Sequence, residues 1–516
     1  MLIFFNPFLM LKLNHKFEPY LTYKIMKKLF PILLLIGLSS AVFGQSNQRS
    51  IKIKIDGLKN SDLYLINYYG NQRYYKDTAQ INEKGVAHFN TDKVIESGIY
   101  GVFHNGKVLF EILVDEPVIE IETDTLNPVK NMVVKKSAEN KLFLEHLLHV
   151  GKIQENAAQL REKLNSKPTA EEKKNIEQQL QNIEKEVQDY RLTIIKQHPN
   201  TFVAALFKGM KEPETTQFDA LENDSLLQYK RYQYYKNHFF DELDFSDERM
   251  LRSPIYHNKI EKYFTKLTYP NPDSINADID WVVEKARANK EIFKYTIHYL
   301  INHYEKSKIM GMDAVFAHIA LNYYTKEQAF WADEKLIEKV QEKAQKLQPL
   351  LIGKTAINLI LLDTAKKNWI NMHEINKDYT VLIFWDPECG HCKKELPKIA
   401  EYYQTIKDKS VAVFAVSSDH NDAWKKFIKD HHLDFLNVAV PKEVYEDKQV
   451  ATEYIRKGYT DLKSLNYSTT YDVFTTPQIY LLDKDKTIIA KKLDSELLKQ
   501  VLNKELGITE KLKPTE

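Results

Sequence analysis

The 516 residues contain two cysteines, and these stand together as Cys389-Gly390-His391-Cys392. A C-x-x-C spacing brings two thiols within reach of one bond, so the pair can cycle between dithiol and disulfide. The attacking form is the thiolate, and the partial positive charge of a helix N-terminus favours it. An apolar run, Val381–Trp385, precedes the motif, and a helix-compatible run follows from Lys393. That order is strand, tight turn, helix, with the first cysteine at the turn. Cys389 is therefore the expected nucleophile. Cys392, one turn on and facing inward, is the expected resolving thiol. A partly protonated His391 beside Cys389 would further favour the charged sulfur. Any bond between residues this close closes too small a loop to staple domains together. Cys389, His391 and Cys392 lack the fourth ligand of a closed tetrahedral metal site, so neither metal nor cofactor is expected.

The elements around the motif alternate between β and α, which implies a sheet covered by helices. Strands are expected at Val381–Trp385, Val411–Val416, Ile479–Asp483 and Thr487–Lys492. Helices are expected at Cys389–Lys407, Ala423–His431 and Ser495–Leu506. A helical insert is expected over Glu446–Asp461, bordering the active face.

Phe384-Trp385, the Cys-Gly-His-Cys itself, the following Lys-Lys-Glu-Leu-Pro and the distant Thr476-Pro477 resemble the thioredoxin superfamily. Within it they resemble the exported TlpA/ResA-type disulfide reductases. The resemblance covers roughly the last third of the chain, residues 351–516. It implies that Pro477 is cis and lies against the cysteines, and that the backbone of Thr476 pairs with substrate. It also implies that Trp385 and Pro387 frame the rim around Cys389, with Gly390 and His391 completing the substrate-facing surface. Thioredoxins carry a buried Asp six positions before the first cysteine, where this chain has Ile383. Glu395 matches a glutamate that TlpA/ResA-type proteins place three residues past their second cysteine, and is expected to take and return the Cys392 proton. Ile352–Leu362 resembles the extra β hairpin of such domains.

Gly-His is also the intervening pair of protein disulfide isomerases, whose potential is about −180 mV against about −270 mV for thioredoxin. That gap is roughly 4 kcal/mol for two electrons. The dipeptide thus tilts toward an oxidising couple and the TlpA-like frame toward a reductase, and both directions stand. A thiol-specific peroxidase fits less well, because Asp386 and Pro387 occupy the places where that family has a threonine.

The amino terminus reads as an export signal within residues 1–44. Met26-Lys27-Lys28 precedes the apolar run Leu29–Leu38, and small residues lead to Gly44, the expected cut. A signal has an apolar centre of ~7–15 residues, whereas a membrane span needs ~20. An uncleaved anchor from Leu29 is the other reading, and the first 25 residues read as an upstream extension. Export means that a membrane or periplasmic partner must reset the dithiol.

Residues 46–136 show short alternating strands, such as Ile51, Ile53 and Ile55, and an Asn105-Gly106 hairpin turn. They predict an antiparallel β sandwich or barrel. From Ser137 to residue 350 the period becomes helical. Ile176, Leu180, Ile183, Val187, Tyr190 and Ile194 form a stripe that starts at the capping box Thr169-x-x-Glu172. A hairpin with Leu144–Leu164 is favoured over a dimerising coiled coil, which keeps a homodimer open. Tyr229–Phe245 interleaves aromatics with Lys and Arg, as single-stranded nucleic-acid binders do. Acidic neighbours and helical spacing point instead to core. Lys+Arg 73 against Asp+Glu 71 also argues against a nucleic-acid partner.

The chain is thus expected to be a multidomain α+β protein: a β domain, an all-α middle and a thioredoxin-like α/β domain. The expected activity is periplasmic thiol–disulfide exchange with cysteine-bearing proteins. Its catalytic residues would be Cys389, Cys392, Glu395 and Pro477. The alternative is a non-enzymatic envelope binding or scaffold protein, because roughly two-thirds of the chain shows no visible chemistry.

Overall fold

Ile51, Ile53 and Ile55 are buried while the lysines between them are half-buried, the pattern of a strand with one face on a core. A computed structural model describes residues 49–508 apart from 91–93, 167, 219–224 and 419–420. The export signal expected within residues 1–44 lies outside the described residues.

The first eight strands are β1 (Ser50–Asp56), β2 (Ser61–Tyr69), β3 (Gln72–Ile81), β4 (Val86–Asn90), β5 (Gly98–His104), β6 (Lys107–Val114), β7 (Val118–Asp124) and β8 (Val133–Lys136). They form two four-stranded sheets, β4-β1-β7-β8 and β3-β2-β5-β6. Phe89, Tyr100 and Ile112 belong to the core they share. The expected all-antiparallel sandwich needs a correction, because β1 and β7 run parallel, from Ser50↔Val118 to Asp56↔Asp124. The chain crosses to the other sheet between them, so no hairpin dictates their direction. At the β5–β6 turn Asn105 and Gly106 both have positive φ, as a two-residue hairpin of this hand requires.

The middle of the chain is helical. The helices Ala138–Asn165 and Ala170–Gln197 form the hairpin, and Thr169 and Glu172 make the capping box. Phe239, Phe240 and Phe245 of the aromatic stretch are buried in the helical core, whereas Tyr229 and Tyr234 earlier in it are exposed. Ile99 and Leu113 of the β domain enter the same core. Asn140 ties the two domains further, since its side chain bonds both the amide and the carbonyl of Leu113 (2.8 and 2.7 Å).

Among the described residues the last domain has seven strands: β9 (Ile360–Asp363), β10 (Trp369–Asn371), β11 (Tyr379–Trp385), β12 (Val411–Ser417), β13 (Leu436–Ala439), β14 (Gln478–Leu482) and β15 (Ile488–Lys491). Their order is β10-β9-β13-β12-β11-β14-β15. β11 and β12 are parallel, while β14 is antiparallel to β11. This is the thioredoxin-like arrangement with an added hairpin, which is β9–β10 rather than Ile352–Leu362. The helical domain meets this sheet through a buried ion pair, Lys491 Nζ to Asp313 Oδ2 at 2.5 Å.

Candidate active site

β11 is buried along almost its whole length and ends at Trp385. The chain then turns within four residues into the helix Gly390–Thr405, whose N-cap residue is Cys389. Asp386 builds that turn. Its Oδ1 accepts from the Glu388 amide (2.7 Å), its carbonyl from the Cys389 amide (3.2 Å), and its Oδ2 from the Ser418 hydroxyl (2.6 Å). Side-chain acceptance from the amide two residues on is the local turn chemistry that aspartate favours. The Cys389 sulfur is thereby fixed at the first turn of the helix.

The two sulfurs differ in environment. Cys389 is half-buried and Cys392 fully buried. The Cys389 thiol donates to the Thr476 carbonyl at 3.2 Å, and the Thr476-Pro477 peptide is cis. Burial alone would push the Cys389 thiol up. Hydrogen bonds from the Thr476 side chain, from Cys392 and from the His391 amide outweigh it and hold the group below its ordinary value. For Cys392 burial dominates, and the thiol is pushed up to about 12. One sulfur is thus prepared to attack and the other to stay protonated until called on.

The remaining predicted residues divide. Thr476 and Pro477 are half-buried, with the Thr476 carbonyl against the Cys389 sulfur, and Gly390 and His391 are exposed. A side chain at Gly390 would meet nothing within 4 Å, so glycine leaves the surface next to Cys389 bare. Trp385 and Pro387 are not on the rim. Trp385 is 1% exposed, packs on Phe427 at 5.3 Å, and shares a core with Cys392. Pro387 is buried as well. Asp386 and Ser418, which shape the turn, were not among the expected site residues. The Asp386 spacing to Glu388 was the available signal.

Glu395 points elsewhere too. Its Oε2 accepts from the Ser495 amide at 2.9 Å and its Oε1 from Lys398 at 3.2 Å, and no hydrogen bond joins it to Cys392. Burial would raise this carboxyl, but the bonds from Ser495 and Lys398 prevail and hold it below the usual carboxylate range. Ser495 opens the helix Ser495–Glu505, so Glu395 places negative charge at that helix's N-terminus and fastens it to the active-site helix. Glu395→Gln is expected to cost about 1 kcal/mol of stability and to leave the pH dependence of disulfide exchange unmoved. A shift of the pH–rate profile in that variant would return the carboxylate to proton transfer.

Comparison with known proteins fits this geometry. Residues 352–491 match the AhpC/TSA family, and residues 168–347 match a domain of unknown function, DUF5106. The thiol-disulfide oxidoreductase ResA of Bacillus cereus (strain ZK / E33L) is 30% identical over 179 residues, covering 34% of this chain and 83% of that protein. The chain belongs to the ResA family of thiol-disulfide oxidoreductases. ResA of Bacillus subtilis (strain 168) is 31% identical over 103 residues, 20% of this chain and 54% of that protein. A thioredoxin-like protein from Bacteroides caccae has a solved structure that aligns with a TM-score of 0.42 at 18% identity, covering 57% of this chain and 97% of that one. These ResA matches cover about a third of the chain or less.

Proposed function

We propose that this chain is an exported reductase of protein disulfides, working in the periplasm or cell envelope through the Cys389–Cys392 dithiol. The observation that carries the reading is the difference between the two sulfurs. The accessible one is held below its ordinary pKa against Thr476, while the buried one is held far above it. In the first step the Cys389 thiolate attacks a client disulfide. A mixed disulfide forms and one client sulfur leaves as thiolate. Cys392 then loses its proton and attacks the Cys389 sulfur, which releases the second client thiol and leaves Cys389–Cys392 oxidised. Two electrons have passed to the client, and a dithiol partner outside the cytoplasm must return them.

The family relationship and the export signal expected within residues 1–44 support the reductive direction. The peroxidase alternative gains nothing from the Asp386 carboxylate, which is occupied by the Glu388 amide and the Ser418 hydroxyl. The test is the reduction potential of the dithiol together with trapping by Cys392→Ser. A reductase should equilibrate near or below about −270 mV, the thioredoxin value, and Cys392→Ser should accumulate mixed disulfides with a model protein disulfide. A potential near about −120 mV, the value of a strong oxidant, would reverse the assigned direction.

A further inference from the structure

The loop that touches the reactive sulfur also forms one wall of the cleft between the redox and helical domains. This cleft encloses about 620 Å³, within the ~300–1,000 Å³ range of ligand sites. The redox domain lines it with Phe474, Thr475 and Pro477, and the helical domain with Tyr304, Lys308 and Leu347. Thr476, whose carbonyl receives the Cys389 thiol, lies between two of these residues. Phe474 is 86% exposed, an uncovered aromatic at the start of that loop. Across the cleft, Glu305 and Lys343 neutralise each other at 2.7 Å.

We propose that the cleft holds the polypeptide segment flanking the client's disulfide cysteine, with an aromatic or aliphatic client side chain against Phe474. The helical domain supplies the far wall of this groove. The inference rests on the reductase reading above. A client joined to Cys389 is tethered beside Thr476, and successive Cα atoms are only ~3.8 Å apart. Its flanking residues therefore pass directly over the mouth of the cleft. Covering Phe474 removes an aromatic ring from water, which favours an apolar neighbour to the cysteine. Besides the Glu305–Lys343 pair the cleft carries Lys308, Asp472, Lys492 and Asp494, charges of both signs, and Phe474 is the exposed aromatic on the loop beside Thr476. This gives the helical domain work in the reaction: it reads what surrounds the disulfide rather than the disulfide itself.

The experiment compares three substrates on the full chain with dithiothreitol as recycling reductant. They are a peptide mixed disulfide with Phe beside its cysteine, the same peptide with Gly there, and glutathione disulfide. The Phe peptide should exceed the Gly peptide by about tenfold in kcat/KM, the scale of one aromatic contact. Phe474→Ala should erase that advantage and leave glutathione disulfide turnover unchanged. A photo-crosslinker incorporated in place of the exposed Lys308, in a Cys392→Ser background, should label the Phe peptide while it is held as a mixed disulfide with Cys389. Equal rates for the two peptides, an equal loss on glutathione disulfide, or no label from position 308 would overturn the proposal. Failure to turn over any of the three would instead overturn the redox reading beneath it.

Discussion

Iodoacetamide at neutral pH should modify Cys389 and leave Cys392 untouched until the protein unfolds. Cys389 is held below the ordinary thiol value of 9.0, whereas burial pushes Cys392 up to about 12. At pH 7 the thiolate fraction of Cys392 is therefore far smaller than that of Cys389. A less acidic thiol is a better nucleophile once ionised, but a Brønsted slope of about 0.4–0.5 offsets only about half of that difference on a logarithmic scale. Protonation alone therefore leaves a preference for Cys389. Cys392 is also 0% exposed, so the reagent must wait for an opening. The rate at Cys389 should rise with pH and level off at lower pH than that of an ordinary thiol, as the thiolate fills. Cys389→Ser should abolish disulfide exchange, while Cys392→Ser should keep the labelling and lose the second step. The check is mass spectrometry of each cysteine against time and pH. Equal labelling of the two would remove the asymmetry on which the attack order depends.

Residues that act on near neighbours in the chain were legible. The apolar Val381–Trp385 run, the cysteine spacing and the Thr169–Glu172 box are local patterns, and the strand, the helix and the cap appear where they predict. Residues whose role is set across the fold were not. Glu395 meets Ser495 a hundred positions away, and no local pattern names that partner. Trp385 ends a strand buried on both faces, so alternation cannot tell rim from core. β13 has four residues and is held by β12 on one side and β9 on the other, with no periodicity of its own. β3 carries Gln72, Arg73, Lys76, Asp77 and Gln80 at a sheet edge, a polar sequence that hides a strand. The hairpin expected over Ile352–Leu362 falls later because its turn is made by polar residues, with Lys366 at positive φ. Hydrophobicity alone locates the apolar Ile360–Leu362 and misses the return strand Trp369–Asn371.

Replacing Asp313 by Asn should cost the protein about 3–5 kcal/mol, the scale of breaking a buried ion pair from one side. Lys491 ends β15 with 5% of its side chain exposed, and Asp313 has 7%. The ammonium donates to Asp313 Oδ2 at 2.5 Å and to the Leu350 carbonyl at 2.6 Å. Burial lowers the Lys491 pKa, and the Asp313 carboxylate works against that fall. With asparagine there, the ammonium keeps only neutral acceptors, so it must shed its proton or the joint must open toward water. Asp313→Leu combined with Lys491→Met removes both charges and should recover most of the loss, since apolar replacement of a buried pair is often neutral. The consequence reaches the active site through connectivity: Pro477 leads directly into β14, β14 pairs with β15, and β15 carries Lys491. Opening the joint should therefore slow a peptide disulfide more than glutathione disulfide. Calorimetry of the three proteins, with the two substrates assayed in parallel, decides it. A single variant that melts with the native protein would show that this pair does not hold the helical domain on the redox sheet.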